Sequence, residues 1–119
     1  MEERRRFVRL DTPAEVGYAV LPDGSAQRAT AKNISGGGLC LATERPLPSG
    51  GQLQIAVQLP DREQPVNAIA EPVWSEEFEV VGKTERRRSV ATGVRFTEIA
   101  PQDREALWEF VFRTLQTIQ

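Results

Sequence analysis

The sequence predicts a small, mainly β fold: a barrel or sandwich of about six antiparallel strands, with one helix at its C-terminal end. Three observations predict this fold class. Short runs of alternating apolar residues are separated by turns rich in proline and glycine over residues 14–96. The apolar spacing then changes to a helical period after Pro101. The length of 119 residues, with 39% apolar residues, is that of one ordinary domain.

The first three strands are separated by clear turn signals. Loose alternation predicts a strand over residues 14–21, and residues 22–25, Pro-Asp-Gly-Ser, predict a turn. Residues 27–34 are then the return strand of a hairpin. A third short strand is expected over residues 39–43, directly after three consecutive glycines.

The second half of the β region contains the clearest strand of the chain. Apolar and more polar residues alternate strictly over residues 52–59, which is typical of a half-buried strand. A further strand is expected over residues 66–74, where Pro72 indicates a bulge or an edge position. The polar residues 80–89 predict a mobile connection, and residues 90–96 predict the last strand.

The C-terminal segment has the features of an amphipathic helix over about residues 101–117. Proline suits the first helical position, and Asp103 and Glu105 complement the positive N-terminal end of the helix dipole. A wide apolar stripe recurs at helical spacing: Leu107, Trp108, Phe110, Val111, Phe112, Leu115 and Ile118. We expect this stripe to pack on the sheet, although part of so wide a face could contact a partner.

The composition argues against enzymatic activity. The chain has no histidine and one cysteine, so a thiol–imidazole nucleophile and a typical zinc site are both excluded. No phosphate loop of the glycine-lysine-serine type is present. We therefore expect no catalytic residues, no metal and no cofactor.

Charge and hydropathy limit the location and the partners. No apolar run approaches the roughly 20 residues that span a bilayer, so we expect no membrane insertion and a cytoplasmic location. The net charge is −2 and the isoelectric point is near 5.3, which argues against a general nucleic-acid binder. Local basic groups on an acidic body fit a small anionic ligand better.

Two short segments carry most of the functional information. The arginine cluster, residues 4–9, contains Arg4, Arg5, Arg6 and Arg9. The polar loop, residues 33–38, reads Asn-Ile-Ser-Gly-Gly-Gly, and its glycines are expected to adopt positive φ angles and form an anion-binding nest. Taken separately, the first could be a basic tail and the second a hairpin loop that merely needs glycine.

Together these segments resemble the ligand signature of the PilZ domain family. That signature is Arg-x-x-x-Arg followed by Asp/Asn-x-Ser-x-x-Gly, matched here by Arg5 and Arg9 and then by Asn33, Ser35 and Gly38. Residues 93–96, Gly-Val-Arg-Phe, followed by a proline-led helix, are also similar to the end of a PilZ domain, as is the strand around residues 70–74.

The resemblance implies a six-stranded antiparallel β-barrel with a C-terminal α-helix over residues 13–119, preceded by an arginine-rich arm, residues 1–12. It also implies binding of the bacterial second messenger cyclic di-GMP. Arg5 and Arg9 would contact phosphates and the guanine O6/N7 edge, Asn33 and Ser35 would contact a guanine edge, and Gly38 would keep the loop close. Further candidate contacts are Arg4 and Gly37, with Arg6 and Trp74 as accessory residues.

The function expected from this resemblance is a cyclic di-GMP receptor or adaptor. Ligand binding would change the conformation of the arm and signal to a downstream effector protein, in motility, biofilm formation or a related process. A monomer or weak homodimer is expected. The alternative is an adaptor of the same fold that binds a protein independently of nucleotide. A small-barrel binder of RNA or single strands is disfavoured, because we expect no exposed aromatic platforms of the kind such modules use and the isoelectric point is acidic.

Overall fold

The computed structural model describes residues 13–60 and 62–118 and confirms the predicted fold class. The predicted arm, residues 1–12, lies outside the described residues. Six strands and one helix follow in chain order: β1 (Ala14–Val20), β2 (Gln27–Ile34), β3 (Gly38–Thr43), β4 (Leu53–Gln58), β5 (Val66–Val81), β6 (Arg86–Ile99) and α1 (Pro101–Ile118).

The strands form a closed antiparallel barrel with the order β1-β2-β3-β6-β5-β4. Pairing of β1 with β4, from Glu15 opposite Gln58 to Val20 opposite Leu53, closes it. The predicted β1–β2 hairpin is confirmed, and in its turn the Gly24 N–H donates to the Val20 carbonyl at 2.7 Å. Because β3 pairs with β6, the third strand lies beside the last one, which is what brings the polar loop to β6.

The barrel interior is filled by the alternate apolar residues of each strand. Strand β4 shows this most clearly, since Leu53, Ile55 and Val57 are at most 1% exposed while Gln54 and Gln58 face solvent. The helix contributes Leu107 and Val111 to this core, and both are fully buried. Burial of each such side chain stabilises the fold by about 1.5–3 kcal/mol.

The helix begins at Pro101, as the sequence predicts, and is fixed to the barrel at its first turn. The carboxylate of Asp103 accepts a hydrogen bond from the backbone N–H of Asn67 in β5 at 3.3 Å. The backbone N–H of Arg104 donates to the Ala100 carbonyl at 2.9 Å. The predicted packing of the apolar stripe on the sheet is thus confirmed for its buried members, and Asp103 ties the helix start to β5.

The prediction of a mobile connection over residues 80–89 was wrong. Strand β5 continues to Val81 and β6 begins at Arg86, so the two form a long ribbon joined by a tight turn. Charges of opposite sign face each other along it, with Glu79 paired to Arg88 in register. Both faces of the ribbon are largely exposed, so it lacks the apolar alternation by which half-buried strands are recognised.

A bulge in β5 confirms the irregularity that Pro72 indicates in the sequence. Pro72 pairs with Val94, but the next in-register pair joins Trp74 to Gly93, so Val73 is the extra residue. Val73 and Trp74 are consecutive, yet both are exposed, at 55% and 44%. The bulge therefore turns a tryptophan toward the outside of the barrel.

Candidate functional site

A row of residues crosses four neighbouring strands on the outer face of the barrel. Asn33 of β2 pairs with Cys40 of β3, Cys40 pairs with Gly93 of β6, and Gly93 pairs with Trp74 of β5. Directly paired residues of antiparallel strands face the same side. The flanking residue Leu39 belongs to the barrel core, so this row faces outward. The topology thus brings Trp74 onto the same surface as Asn33.

A depression of about 850 Å³ lies over this row, and we call it the Trp74 depression. The polar loop forms one wall and Trp74 lies on another. Of the residues predicted from the sequence, the structure brings together the following around it: Asn33, Ser35, Gly37, Gly38 and Trp74. Arg4, Arg5, Arg6 and Arg9 lie outside the described residues, so their positions relative to the depression stay predictions.

The polar loop is closed by hydrogen bonds of Ser35. Its backbone N–H donates to the Gly38 carbonyl at 2.9 Å, and its Oγ donates to the same carbonyl at 3.2 Å. The Gly37 N–H in turn donates to the Ser35 Oγ at 3.3 Å. The serine side chain is buried, at 8% exposed. In the structure this hydroxyl holds the loop in shape, and Asn33 is the more accessible of the two polar side chains.

The conformational reason given for the three glycines of the loop was wrong. Within residues 13–60 and 62–118 the glycine at positive φ is Gly50, so Gly36, Gly37 and Gly38 do not adopt the positive φ angles expected of them. Close contacts explain two of them instead. A Cβ at Gly36 would lie 2.7 Å from the indole of Trp108, and one at Gly38 would overlap the Val94 carbonyl oxygen.

Trp74 rests on a glycine of the neighbouring strand. A Cβ at Gly93 would overlap the indole nitrogen of Trp74, so the ring lies directly on the backbone at that position. The ring is nevertheless partly accessible from the depression. Gly93 was not predicted as a site residue, although glycine inside a strand is a signal that another group approaches closely. The pair forms a flat apolar surface suited to stacking of a base, so the expectation that exposed aromatic platforms are lacking was wrong at Trp74.

Two arginines of the depression were also missed by the sequence analysis. Arg95 follows Gly93 by two residues in β6, so it lies on the same outer face, and its guanidinium forms an ion pair with Glu71 of β5. Arg104 reaches the depression from the first turn of the helix. Period-two counting along β6 would have found Arg95, whereas Arg104 depends on where the helix packs. Both make the depression attractive to anions.

Metal-binding clusters and membrane-spanning helices are both absent from residues 13–60 and 62–118. In that part of the chain, no group of three or more histidine, cysteine, aspartate or glutamate side chains is placed to hold a metal ion. Within the same residues, no helix combines the length and the apolar character needed to cross a bilayer.

Comparison with family models identifies one family. The family model described as "PilZ domain" matches residues 3–113. The PilZ domain of YcgR from Escherichia coli, solved with cyclic di-GMP, is similar with a TM-score of 0.75 and 24% identity, over 97% of this chain and 94% of that one. A comparison with curated proteins gives no significant match.

Two longer proteins contain a similar fold. The inhibitor of motility MotI from Bacillus subtilis matches with a TM-score of 0.72 and 23% identity, over 98% of this chain and 53% of that one. MrkH of K. pneumonia, described as a cyclic di-GMP-dependent transcription regulatory factor, matches with a TM-score of 0.76 and 16% identity, over 95% and 52%. The family match over nearly the whole chain and the closed six-stranded barrel lead to one conclusion: the chain belongs to the PilZ domain family.

Proposed function

We propose that this chain is a receptor that binds cyclic di-GMP in the Trp74 depression and passes the signal to a protein partner. The observation that carries the proposal is the row from Asn33 to Trp74, which joins half of the family signature to an accessible aromatic ring. Cyclic di-GMP contains two phosphates and two flat purines. A polar loop, an indole and guanidinium groups are the chemistry that such a ligand requires.

The size of the depression and the path of the chain support this assignment. Sites for ligands of this class occupy about 300–1,000 Å³, a range that includes the Trp74 depression at about 850 Å³. Strand β1 begins at Ala14, which pairs with Ala31, so it starts at the same end of the barrel as the polar loop. Arg9 precedes Pro13 by four residues, which can span at most about 14 Å.

Each signature residue has a proposed role. Arg5 and Arg9 hold phosphate oxygens and the O6/N7 edge of guanine, for which the guanidinium fork is well shaped. Asn33 binds a guanine edge, because its amide offers both donors and an acceptor. Gly37 and Gly38 let the ligand approach the loop backbone, Ser35 keeps that loop in shape, and a base stacks on Trp74. Arg4 and Arg6 add positive charge.

The proposed output is a change in the arm, residues 1–12. Phosphate contacts would neutralise the mutual repulsion of its arginines and hold the arm against the depression, which changes the surface offered to an effector protein. Since the ligand is a bacterial second messenger, we propose a cytoplasmic location and a role in motility, biofilm formation or a related process. Monomers or weak homodimers suffice for this mechanism.

Isothermal titration calorimetry with cyclic di-GMP tests the proposal. We expect the wild type to bind, and Arg9→Ala and Asn33→Ala each to weaken binding by at least about tenfold, because each loses hydrogen bonds to a charged or buried group. The matched control is Arg28→Ala, since Arg28 is an exposed arginine of β2 that does not line the depression. Absence of binding by the wild type would refute the proposal.

The nucleotide-independent adaptor is supported by a feature of the helix. Phe112 is 48% exposed and stacks on Trp108, with ring centroids 5.1 Å apart and an interplanar angle of 16°. An exposed phenylalanine backed by a half-buried tryptophan could anchor a protein partner. A thermal melt separates the two functions: a melting temperature that does not rise with cyclic di-GMP supports the adaptor, and a dose-dependent rise supports the receptor.

A further inference from the structure

The ion pair between Arg95 and Glu71 lies beside the Trp74 depression, but only one of its members lines it. Arg95 belongs to the lining and Glu71 does not. We propose that Arg95 is an additional anion-binding residue of the site, and that Glu71 is its resident counterion, which a ligand phosphate displaces. This inference rests on the proposed function, in which the ligand phosphate replaces the Glu71 carboxylate as the partner of Arg95.

Strand register places Arg95 at a suitable distance from the other binding groups. Gly38, Arg95 and Glu71 form a second row across β3, β6 and β5, parallel to the row that ends at Trp74. Two residues along a strand separate the rows by about 7 Å. A base stacked on Trp74 would thus have its neighbouring phosphate within reach of the Arg95 guanidinium, and Gly38 places the polar loop next to it.

The ion pair is of a kind that is easily exchanged. The side chains of Arg95 and Glu71 are 64% and 35% exposed, so water screens their attraction and the pair adds little to the stability of the fold. A phosphodiester group of the ligand carries one negative charge, like the carboxylate, and offers the guanidinium fork two oxygen acceptors, so it can take the place of the carboxylate. Glu71, once displaced, remains accessible to water, so the exchange leaves no buried charge without a partner.

The counterion role makes a distinctive prediction about Glu71. If its carboxylate competes with the ligand for Arg95, Glu71→Gln should tighten cyclic di-GMP binding by about threefold, whereas Arg95→Ala should weaken it by at least about tenfold. In the Arg95→Ala background, Glu71→Gln should have no further effect, because the group competed for is gone. Unliganded melting temperatures of the single variants should stay close to that of the wild type, since the pair is exposed.

The chain offers a matched control pair on the same two strands. Arg88 and Glu77 form an exposed ion pair between β6 and β5, 3.8 Å apart, and neither lines the Trp74 depression. Arg88→Ala and Glu77→Gln change the net charge by the same amounts as the test variants. Both should leave the affinity for cyclic di-GMP within about twofold of the wild type, because screening weakens charges at that distance.

Calorimetry with cyclic di-GMP on these variants distinguishes the outcomes. Wild-type affinity in Arg95→Ala, with the wild type binding, overturns this inference and leaves the proposed function intact. Weaker binding by Glu71→Gln overturns the counterion role, because the carboxylate would then contact the ligand itself. Tightening by Glu71→Gln that persists without Arg95 overturns the exchange as well. Absence of binding by the wild type overturns the proposed function and this inference together.

Discussion

Gly36 lies against the indole of Trp108, at the point where the polar loop meets the helix. A Cβ at this position would be 2.7 Å from Cε2, 2.8 Å from Cζ2 and 2.9 Å from Nε1 of that ring. Carbon atoms in contact prefer separations of about 3.5–4.0 Å. The variant Gly36→Ala therefore requires the loop and the ring to move apart by about 1 Å.

The cost of that movement follows from the surroundings of the two groups. Gly36 is buried, and Trp108 is held by its stack on Phe112, so neither side yields freely. Insertion of a methyl group into such a contact costs about 1–3 kcal/mol, and we expect about 2 kcal/mol for Gly36→Ala. For a domain of this size, roughly 3–6 °C of melting temperature is lost per kcal/mol, so the melting temperature should fall by about 6–12 °C.

Urea unfolding and thermal melts measure this loss, with Gly51→Ala as the matched control. A Cβ at Gly51 would meet Pro48 at 3.7 Å, an ordinary contact, so this substitution should be neutral or slightly stabilising. Trp108→Leu removes the obstructing ring, and Gly36→Ala should cost less than about 0.5 kcal/mol in that background. A melting temperature of Gly36→Ala equal to that of the control, or a penalty unchanged by Trp108→Leu, would refute the reasoning.

Two other glycine substitutions should differ in what they damage. Gly38→Ala places a methyl group on the Val94 carbonyl oxygen, which is held in the β3–β6 ladder, so the free energy of unfolding in urea should fall by at least about 3 kcal/mol. A fall of less than about 1 kcal/mol would contradict this. Gly93→Ala displaces the partly exposed Trp74 ring, so the free energy of unfolding should fall by about 1 kcal/mol and the affinity for cyclic di-GMP by about 5- to 100-fold. An unchanged chemical shift of the Trp74 indole N–H in NMR spectra would argue against this displacement.

Local patterns were sufficient to predict much of the fold. The alternation around Ile55, the turn after Val20 and the helix start at Pro101 are each encoded within a few residues, and each is confirmed. The ribbon that follows Trp74 was not recognised. It is stabilised by pairing between β5 and β6, with opposite charges such as Glu79 and Arg88 facing each other, and such pairing is visible only when both strands are considered together.

The candidate site could be predicted in part, for the same physical reason. Asn33, Ser35 and Gly38 are close in sequence, so a motif is enough to identify the loop, although the reason for its glycines was not apparent. Gly36 and Gly38 are needed because they lie against Trp108 and the backbone of β6, which are more than 50 residues away in the chain. Period-two counting from Gly93 would place Arg95 on the outer face, but its position beside the polar loop depends on the pairing of β3 with β6.

The amino-acid sequence by itself determined the class of the fold, the family resemblance and the residues of the signature, because strand period, turn chemistry and short motifs are local properties. Only the tertiary structure decided which residues share the Trp74 depression. Barrel closure sets the register between strands distant in the chain, and that register aligns Asn33, Cys40, Gly93 and Trp74 in one row. Long-range pairing therefore turns a loop motif into part of a surface that also contains an aromatic ring and an arginine paired with a glutamate.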